Sequence, residues 1–225
     1  MLSLLNRVSI RLQRWKQGIP WGAAHFYNRI ISRYLEHLYS YFLRQVSQKH
    51  CDKVLEVGCG PGRFLIKLAE TGLFHVIVGI DISRAMILIS RKNAVKHGVY
   101  PLLNIVVADA HRMPFREKFF DLVVSTGTLH HIKDPETFFR ECTRVLGIGG
   151  EAWIYDFSYD ISADELEESV HFLRRPKILL KLSALLHGLP RRVFKEGYIR
   201  DALQRASVDY DMCYNGLITK LILKS

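Results

Sequence analysis

The glycine-rich stretch 54–64 constrains the fold most strongly, and it reads Val-Leu-Glu-Val-Gly-Cys-Gly-Pro-Gly-Arg-Phe. The apolar run at its start favours a β-strand, the glycines end that strand, and helical spacing resumes at Phe64, Leu65 and Leu68. This order predicts a strand, a glycine turn and a helix, the first unit of a doubly wound sheet. Ligands of such sheets bind beyond the carboxyl ends of the strands. The free N–H groups of the following helix favour an anionic group there.

The spacing of the glycines indicates which ligand the turn suits. Gly58, Gly60 and Gly62 form G-x-G-x-G, whereas a dinucleotide fingerprint is G-x-G-x-x-G, and Arg63 stands at the place of its third glycine. Glu56 lies two residues before the first glycine. A carboxylate at the strand end suits a ligand with a positive charge nearby and does not suit a pyrophosphate. The glycine pattern alone also fits an ordinary strand–helix turn, so the assignment depends on the segments that follow.

Four further segments follow the glycine turn in a fixed order. They are Gly79-Ile80-Asp81-Ile82-Ser83, Ala108-Asp109-Ala110 with Met113-Pro114-Phe115, Phe120-Asp121-Leu122-Val123-Val124-Ser125 leading to Leu129-His130-His131, and Arg144-Val145-Leu146 with Gly149-Gly150. From about Val54 to Phe157 the chain therefore resembles the class I S-adenosylmethionine-dependent methyltransferases, in particular the type 11 group of small-molecule enzymes. Gly147-Ile148 departs from the lysine–proline pair usual in that family. We expect this difference to alter only the turn into the fifth strand.

The resemblance implies a Rossmann-like α/β fold with a seven-stranded, mostly parallel sheet and helices on both faces. It also implies S-adenosyl-L-methionine as cofactor and S-adenosyl-L-homocysteine as product. Asp81 ends the second strand about twenty residues beyond the glycine turn, where a carboxylate can accept both ribose hydroxyls. By resemblance, Asp109 contacts the adenine amino group. The candidate cofactor-binding residues are Glu56, Gly58, Cys59, Gly60, Gly62, Asp81, Ile82, Met86, Asp109, Ala110, Ser125 and Thr126.

His130 and His131 are the candidate catalytic residues. Methyl transfer from a sulfonium is an in-line displacement, so the protein must align the acceptor and can also remove a proton from it. Imidazole titrates near neutrality, and the loop that carries both histidines borders the expected methyl site. A structural or positioning role for the pair is the alternative. We expect no metal site, because the four cysteines lie far apart without zinc-ligand spacing.

The periodicity predicts a domain at 51–225 that follows an N-terminal helical arm or cap at 1–50. Strands are expected at 75–80, 103–107, 119–125 and 151–157, and helices at 62–71, 84–97 and 197–206. Two last strands, 208–214 and 217–223, form a hairpin around Asn215-Gly216. Residues 158–195 interrupt the family pattern, and we interpret them as a helical lid over the substrate. A helix packed on the sheet edge is the alternative.

Positive charge is concentrated in two amphipathic segments, residues 1–35 and 171–195, and the chain as a whole carries +10. A basic amphipathic helix at 1–17 can lie on an anionic membrane or pack on the domain with a solvated basic face. A longer apolar stripe runs along 23–46. The apolar runs are too short for a membrane span and the start does not resemble a signal peptide, so we expect a cytoplasmic protein.

Three functions remain open from the sequence. The favoured one is methyl transfer to a small-molecule or lipid-like acceptor, with the basic segments in peripheral contact with an anionic membrane. A nucleic-acid methyltransferase is less favoured, because the chain has no recognisable RNA-binding module and no Asn/Asp-Pro-Pro-aromatic motif after the fourth strand. A non-catalytic S-adenosylmethionine-binding protein is the third. The sequence does not determine the acceptor or the oligomeric state.

Overall fold

The computed structural model describes residues 36–225, which form one mixed sheet with helices on both faces. Its strands are β1 (Lys53–Val57), β2 (Val76–Asp81), β3 (Leu103–Val107), β4 (Phe120–Thr126), β5 (Leu146–Tyr159), β6 (Gly188–Pro190), β7 (Asp209–Asn215) and β8 (Ile218–Lys224). Their order across the sheet is β3-β2-β1-β4-β5-β8-β7, and the short β6 pairs with β5. The strand order reverses between β1 and β4, so the ligand crevice is expected at their carboxyl ends.

Helices connect most of these strands in the described chain. They are α1 (Glu36–Val46), α2 (Arg63–Thr71), α3 (Arg84–Lys96), α4 (Pro135–Val145), α5 (Ala163–Leu173), α6 (Lys177–Leu186), α7 (Arg191–Glu196) and α8 (Tyr198–Ala206). Single 3₁₀ turns span Tyr100–Leu102 and Leu129–His131. Two helices begin with local capping residues: the Ser83 side chain caps α3, and Asp134 caps α4 with Pro135 at its first position.

Two apolar layers cover the two faces of the sheet. Along β5, Trp153 and Tyr155 point into the layer formed by α1, α2, α3, α5 and α6. Ala152 and Ile154 point into the opposite layer, which α4, α7 and α8 cover. Successive residues of β5 therefore contribute to opposite layers, as the pleat of a strand requires.

The parallel register brings the functional strand ends together. Glu56 of β1 lies between Gly79 of β2 and Val124 of β4, and Asp81 of β2 pairs with Val107 of β3. Beyond β1 the glycine turn folds over the neighbouring strand, since the N–H groups of Gly58 and Cys59 both donate to the carbonyl of Ile80, at 2.8 and 2.9 Å. The residues expected to hold the cofactor thus lie along one edge of the sheet.

The structure adds one strand to the seven expected from the sequence. β6 is only three residues long and pairs in parallel with the end of β5, within the segment read as a lid. The sequence did not reveal it, because Gly188-Leu189-Pro190 is too short for a periodicity signal. α1 covers the described part of the stripe expected along 23–46. The basic helix at 1–17 and the rest of that stripe lie outside the described residues.

A buried arginine ties the 158–195 segment to the sheet. The Arg191 guanidinium donates to Ser158 Oγ of β5, to Glu165 of α5 and to the Gly216 carbonyl of the β7–β8 turn. Its backbone N–H donates to Asp160 Oδ1 at 2.6 Å. Arg191 is therefore internal, although the sequence places it in the basic half of the segment.

Candidate active site

Glu56 presents one carboxylate oxygen that the described chain does not satisfy. Thr126 Oγ1, at the end of β4, donates to Glu56 Oε1 at 3.1 Å. Oε2 is buried and has no hydrogen-bond partner within residues 36–225. Burial, together with the nearby Asp81 carboxylate, raises the pKa of Glu56 well above its ordinary value, although the Thr126 hydroxyl and the Leu65 backbone oppose the shift. A buried acceptor of this kind requires a donor, and the ammonium group of a methionine moiety would supply one.

Asp81 holds the glycine turn in place and keeps acceptor capacity. Its Oδ2 accepts the Gly60 N–H at 2.9 Å and its Oδ1 accepts the Ser83 N–H at 2.8 Å. Burial raises the pKa of this carboxyl, and the two backbone donors act in the opposite direction. A carboxylate offers about four lone-pair positions, so roughly two remain for ribose hydroxyls.

The glycines of the turn serve different purposes. A Cβ on Gly58 would lie 2.1 Å from Thr128 Oγ1, and a Cβ on Gly62 would lie 2.1 Å from Ser90 Oγ. These two glycines therefore leave room for side chains of the protein itself. A Cβ on Gly60 would have nothing within 4 Å. Gly60 has φ +50°, which a residue with a Cβ rarely adopts, and it borders open space beside Asp81. This is the one glycine of the three that leaves room for a close approach by a ligand.

Asp109 takes part in a local network at the end of β3. Its Oδ1 accepts the backbone N–H of His111 and contacts His111 Nδ1 at 2.7 Å. These contacts lower the pKa of Asp109, although partial burial acts in the opposite direction. His111 Nε2 accepts the Asp134 N–H at 3.3 Å, so Nδ1 carries the proton. The network joins the loop after β3 to the start of α4, and it was not foreseen from the sequence.

The other predicted cofactor residues lie in varied environments along the same edge. Ile82 is an exposed apolar side chain directly after Asp81, as packing against a flat adenine ring would require. Cys59 and Ser125 are buried, and burial raises the pKa of the Cys59 thiol well above its ordinary value. Met86 is buried with Ala85 and Ile89 in a small cluster under α3. Ala110 is partly buried against the α4 layer. The cofactor contacts of these residues remain predictions.

His130 forms a buried pair with Asp156 at the carboxyl ends of β4 and β5. The His130 N–H donates to Asp156 Oδ2 at 2.8 Å, and His130 Nδ1 lies 3.0 Å from both carboxylate oxygens. Because the Asp156 carboxylate accepts a hydrogen bond from Nδ1, the neutral ring carries its proton on Nδ1 and keeps a lone pair on Nε2. Nε2 is buried, and no residue of the described chain binds it. Sequence reasoning identified His130 but missed Asp156, which lies within the apolar fifth strand.

His187 completes a group that sequence reasoning also missed. Its ring centroid lies 5.9 Å from that of His130, and the rings of His130 and His131 are 4.0 Å apart. Burial and the adjacent His130 lower the pKa of His187 to about 4, with Asp156 acting in the opposite direction. No sequence motif linked His187 to the other two histidines, because His187 follows α6 in the segment outside the family pattern.

Comparisons with known proteins show which family and fold this chain resembles. Residues 55–154 match the family model described as a methyltransferase domain. The ubiquinone/menaquinone biosynthesis C-methyltransferase UbiE of Xylella fastidiosa strain M12 is 34% identical over 119 residues, which are 52% of this chain and 47% of that protein. UbiE of Xanthomonas campestris pv. campestris is 32% identical over 146 residues, 64% of this chain and 57% of that protein. The chain thus spans about half the length of these relatives.

Solved structures share the fold at low sequence identity. A SAM-dependent methyltransferase of Aquifex aeolicus superposes with a TM-score of 0.66 at 17% identity, covering 92% of this chain and 98% of that one. An N-methyltransferase of Haemonchus contortus, in complex with phosphomonomethylethanolamine and S-adenosylhomocysteine, has a TM-score of 0.51 at 21% identity. That match covers 73% of this chain and 35% of the other.

The fit of the cofactor to this edge rests on features of the chain itself. The unsatisfied oxygen of Glu56, the acceptor capacity of Asp81 and the open space at Gly60 lie at the ends of two neighbouring strands, and each suits a part of S-adenosylmethionine. Residues 55–154 therefore match a methyltransferase domain, and the described chain has the fold of S-adenosylmethionine-dependent methyltransferases.

Proposed function

We propose that the protein methylates a lipid-like acceptor with an acidic hydroxyl, such as a phenol, and that His130 removes the proton. The observation that carries this proposal is the pairing of His130 Nδ1 with Asp156, which leaves the buried Nε2 lone pair without a partner in the described chain. A histidine held in this tautomer is suited to act as a general base. His131 stands beside it and is the second candidate.

In the proposed methyl transfer, different residues of the chain act in different steps. When bound, S-adenosylmethionine supplies an activated methyl group on its sulfonium. Glu56 and Asp81 hold the amino-acid and ribose ends of the cofactor, and this alignment contributes ~7–11 kcal/mol to lowering the barrier in well-oriented reactions. His130 Nε2 accepts the hydroxyl proton as the acceptor attacks the methyl group. Asp156 then stabilises the imidazolium, because its carboxylate is already bonded to Nδ1–H. By analogy with the relatives, carbon is the expected site of methylation. The deprotonated phenol would attack through a ring carbon, that carbon would then lose its C–H proton to solvent as the ring becomes aromatic again, and the oxygen would take back the proton held by His130.

The lipid-like character of the acceptor is supported by α6. Leu180 and Ala184 of this helix are buried against the sheet, whereas its other face exposes apolar side chains. These are Ile178, Leu179, Leu182 and Leu185. Lys177 and Lys181 lie on the same helix, and His187 follows it directly. An exposed apolar face flanked by lysines and adjacent to the histidines suits an acceptor that enters from an anionic membrane surface.

The membrane contact is proposed as peripheral. Within residues 36–225, no helix is both long and apolar enough to cross a bilayer. Part of the positive charge of the 171–195 segment is neutralised by acids of α5, since Lys177 Nζ lies 3.0 Å from Glu167 Oε2 and Arg191 pairs with Glu165. The basic residues available to a membrane are therefore fewer than the sequence count implies. The contribution of residues 1–35 remains a prediction.

Isotope transfer tests this function directly. The full chain is incubated with methyl-labelled S-adenosylmethionine and vesicles that carry prenylated benzoquinols or naphthoquinols, or with total RNA. We expect label in the lipid fraction and a product heavier by one methylene. The matched variants are His130→Asn, which removes the base, and His171→Asn, which alters an exposed histidine of α5. Label found only in RNA, or equal turnover by the two variants, would contradict the proposal.

A further inference from the structure

The three histidines His130, His131 and His187 form the one group in the described chain with the geometry of a metal site. Each offers one ring nitrogen, and these nitrogens all lie within 4.8 Å of one another. Zinc binds histidine nitrogen at ~2.0–2.1 Å in a tetrahedron, so its nitrogens are separated by roughly 3.4 Å. The nitrogens would therefore have to approach one another by up to about 1.4 Å for a metal ion to bind.

The surroundings of His130 are those of an ordered metal ligand. Its Nδ1 is held by Asp156, and both carboxylate oxygens are fixed in turn: Oδ2 by the His130 N–H and Oδ1 by the Phe157 N–H at 2.8 Å. In metal-bound histidines, the N–H of the second ring nitrogen commonly donates a hydrogen bond to such a carboxylate. This bond fixes the orientation of the ring and raises its basicity. The Nε2 that remains is buried and unpartnered within residues 36–225.

His111 provides a contrast within the same chain. It also donates Nδ1–H to a carboxylate, that of Asp109, but its Nε2 already accepts a backbone N–H. His111 therefore has no ring lone pair to offer, whereas the Nε2 lone pair of His130 has no partner within residues 36–225.

We propose that His130, His131 and His187 bind a divalent transition metal ion, and that the bound ion prevents His130 from accepting a proton. Three imidazole nitrogens suit zinc, cobalt, nickel or copper, and not magnesium or calcium, which prefer oxygen ligands. Three protein ligands also leave a fourth position open to water or acceptor. The consequence for catalysis rests on the function proposed above, because a lone pair that coordinates a metal cannot take up a proton. Metal occupancy would then be a reversible off-switch for methyl transfer.

The binding half of the proposal is tested without reference to activity. The tag-free, chelator-treated full chain is titrated with Co²⁺, whose absorption reports tetrahedral coordination, and with Zn²⁺ by calorimetry. We expect one site, with Zn²⁺ affinity reduced roughly 100-fold or more in His187→Ala and 10–100-fold in Asp156→Asn. His171→Ala is the matched control and should bind as the unaltered protein does. His187→Gln provides a second variant if the alanine fails to fold. Equal metal binding by the His187 and His171 variants would overturn the site.

The regulatory half is tested by methyl transfer at increasing Zn²⁺. We expect Zn²⁺ to inhibit the unaltered protein and the His171→Ala variant, with recovery on adding a chelator, while the activity of His187→Ala, whatever its metal-free value, changes little over the same Zn²⁺ range. Activation by Zn²⁺, or equal inhibition of both variants, would overturn the switch. If the chain transfers no methyl group under any condition, the proposed function fails, and the Co²⁺ spectrum still decides the metal site.

Discussion

Thr126 Oγ1 donates a hydrogen bond to Glu56 Oε1 across two neighbouring strand ends, at 3.1 Å. This contact orients the carboxylate and leaves Oε2 directed into the buried site without a partner in the described chain. Because hydrogen bonds to charged groups contribute about 1.5–3 kcal/mol, we expect Glu56→Gln to weaken S-adenosylmethionine binding by roughly 10–100-fold. Calorimetric titration measures the change, with Glu117→Gln on the exposed surface as control.

The same substitution is expected to stabilise the cofactor-free protein. Burial raises the pKa of Glu56 well above 4.5, and a carboxyl whose pKa is higher in the folded than in the unfolded chain opposes folding once the unfolded form ionises. The cost is absent below the unfolded pKa and grows as the pH rises toward the folded pKa. The melting temperature of Glu56→Gln should therefore exceed that of the unaltered protein by more at about pH 8 than at about pH 5. A constant difference across this range would contradict the assignment.

Gly60 and Gly62 form a matched pair for separating ligand space from protein packing. Both have positive φ, so alanine at either position costs about 1–2 kcal/mol of backbone strain. A Cβ at Gly62 would also collide with Ser90, whereas one at Gly60 meets only open space. We expect Gly62→Ala to lower the melting temperature more than Gly60→Ala does. We expect Gly60→Ala to weaken cofactor binding more than Gly62→Ala does for the same loss of stability. Thermal unfolding and cofactor titration on both variants decide this.

Asp156 is a positioning residue whose effect should appear in kcat. Asp156→Asn can no longer hold a proton on His130 Nδ1, so the wrong ring nitrogen would carry it. We expect His130→Asn to lower kcat by about 10²–10⁴ and Asp156→Asn to lower it in the same direction. The KM for the acceptor and the Kd for the cofactor should change little. A rise confined to KM would indicate that His130 positions the acceptor and takes no proton.

Arg191 and Lys177 allow a buried arginine and an exposed lysine of the same segment to be compared. The Arg191 side chain is 8% exposed and donates to Ser158, to Gly216 and to Glu165, which is 36% exposed, whereas Lys177 and Glu167 are about half exposed. Leaving a buried acceptor without its donor costs about 1–3 kcal/mol, and an exposed ion pair contributes about 0–1 kcal/mol. We expect urea unfolding to show a large loss for Arg191→Met and a small one for Lys177→Met. Equal losses would mean that the segment is not held through Arg191.

The apolar face of α6 should bind anionic vesicles. Leu182 is 50% exposed on this face, and Leu102, before β3, is 57% exposed elsewhere on the protein. Leu182→Asp should weaken cosedimentation with the vesicles, and Leu102→Asp should not. Binding should also weaken as salt rises, since each lysine near the surface contributes about 1 kcal/mol and its effect decays within a Debye length. Identical behaviour of the two aspartate variants would exclude this face.

Most of the elements could be predicted from the sequence because their signals are local. The strand before Gly58, the caps at Ser83 and Asp134, and the hairpin at Asn215-Gly216 all depend on residues within a few positions of one another. Turn chemistry, capping and periodicity act over that range. Glu56 and Asp81 were identifiable for the same reason, since each stands at a fixed offset from the glycine turn.

The partners of those residues could be found only in the tertiary structure. Thr126 lies 70 positions from Glu56, and Asp156 lies 26 positions from His130 within a mostly apolar stretch of β5. His187 joins the other histidines only because the short β6 beside it pairs with the end of β5. Sequence thus determined the strand ends and their ligand-binding residues, since these depend on local patterns. Sheet order and the packing of α6 decided which side chains meet there, because such contacts depend on register between distant segments.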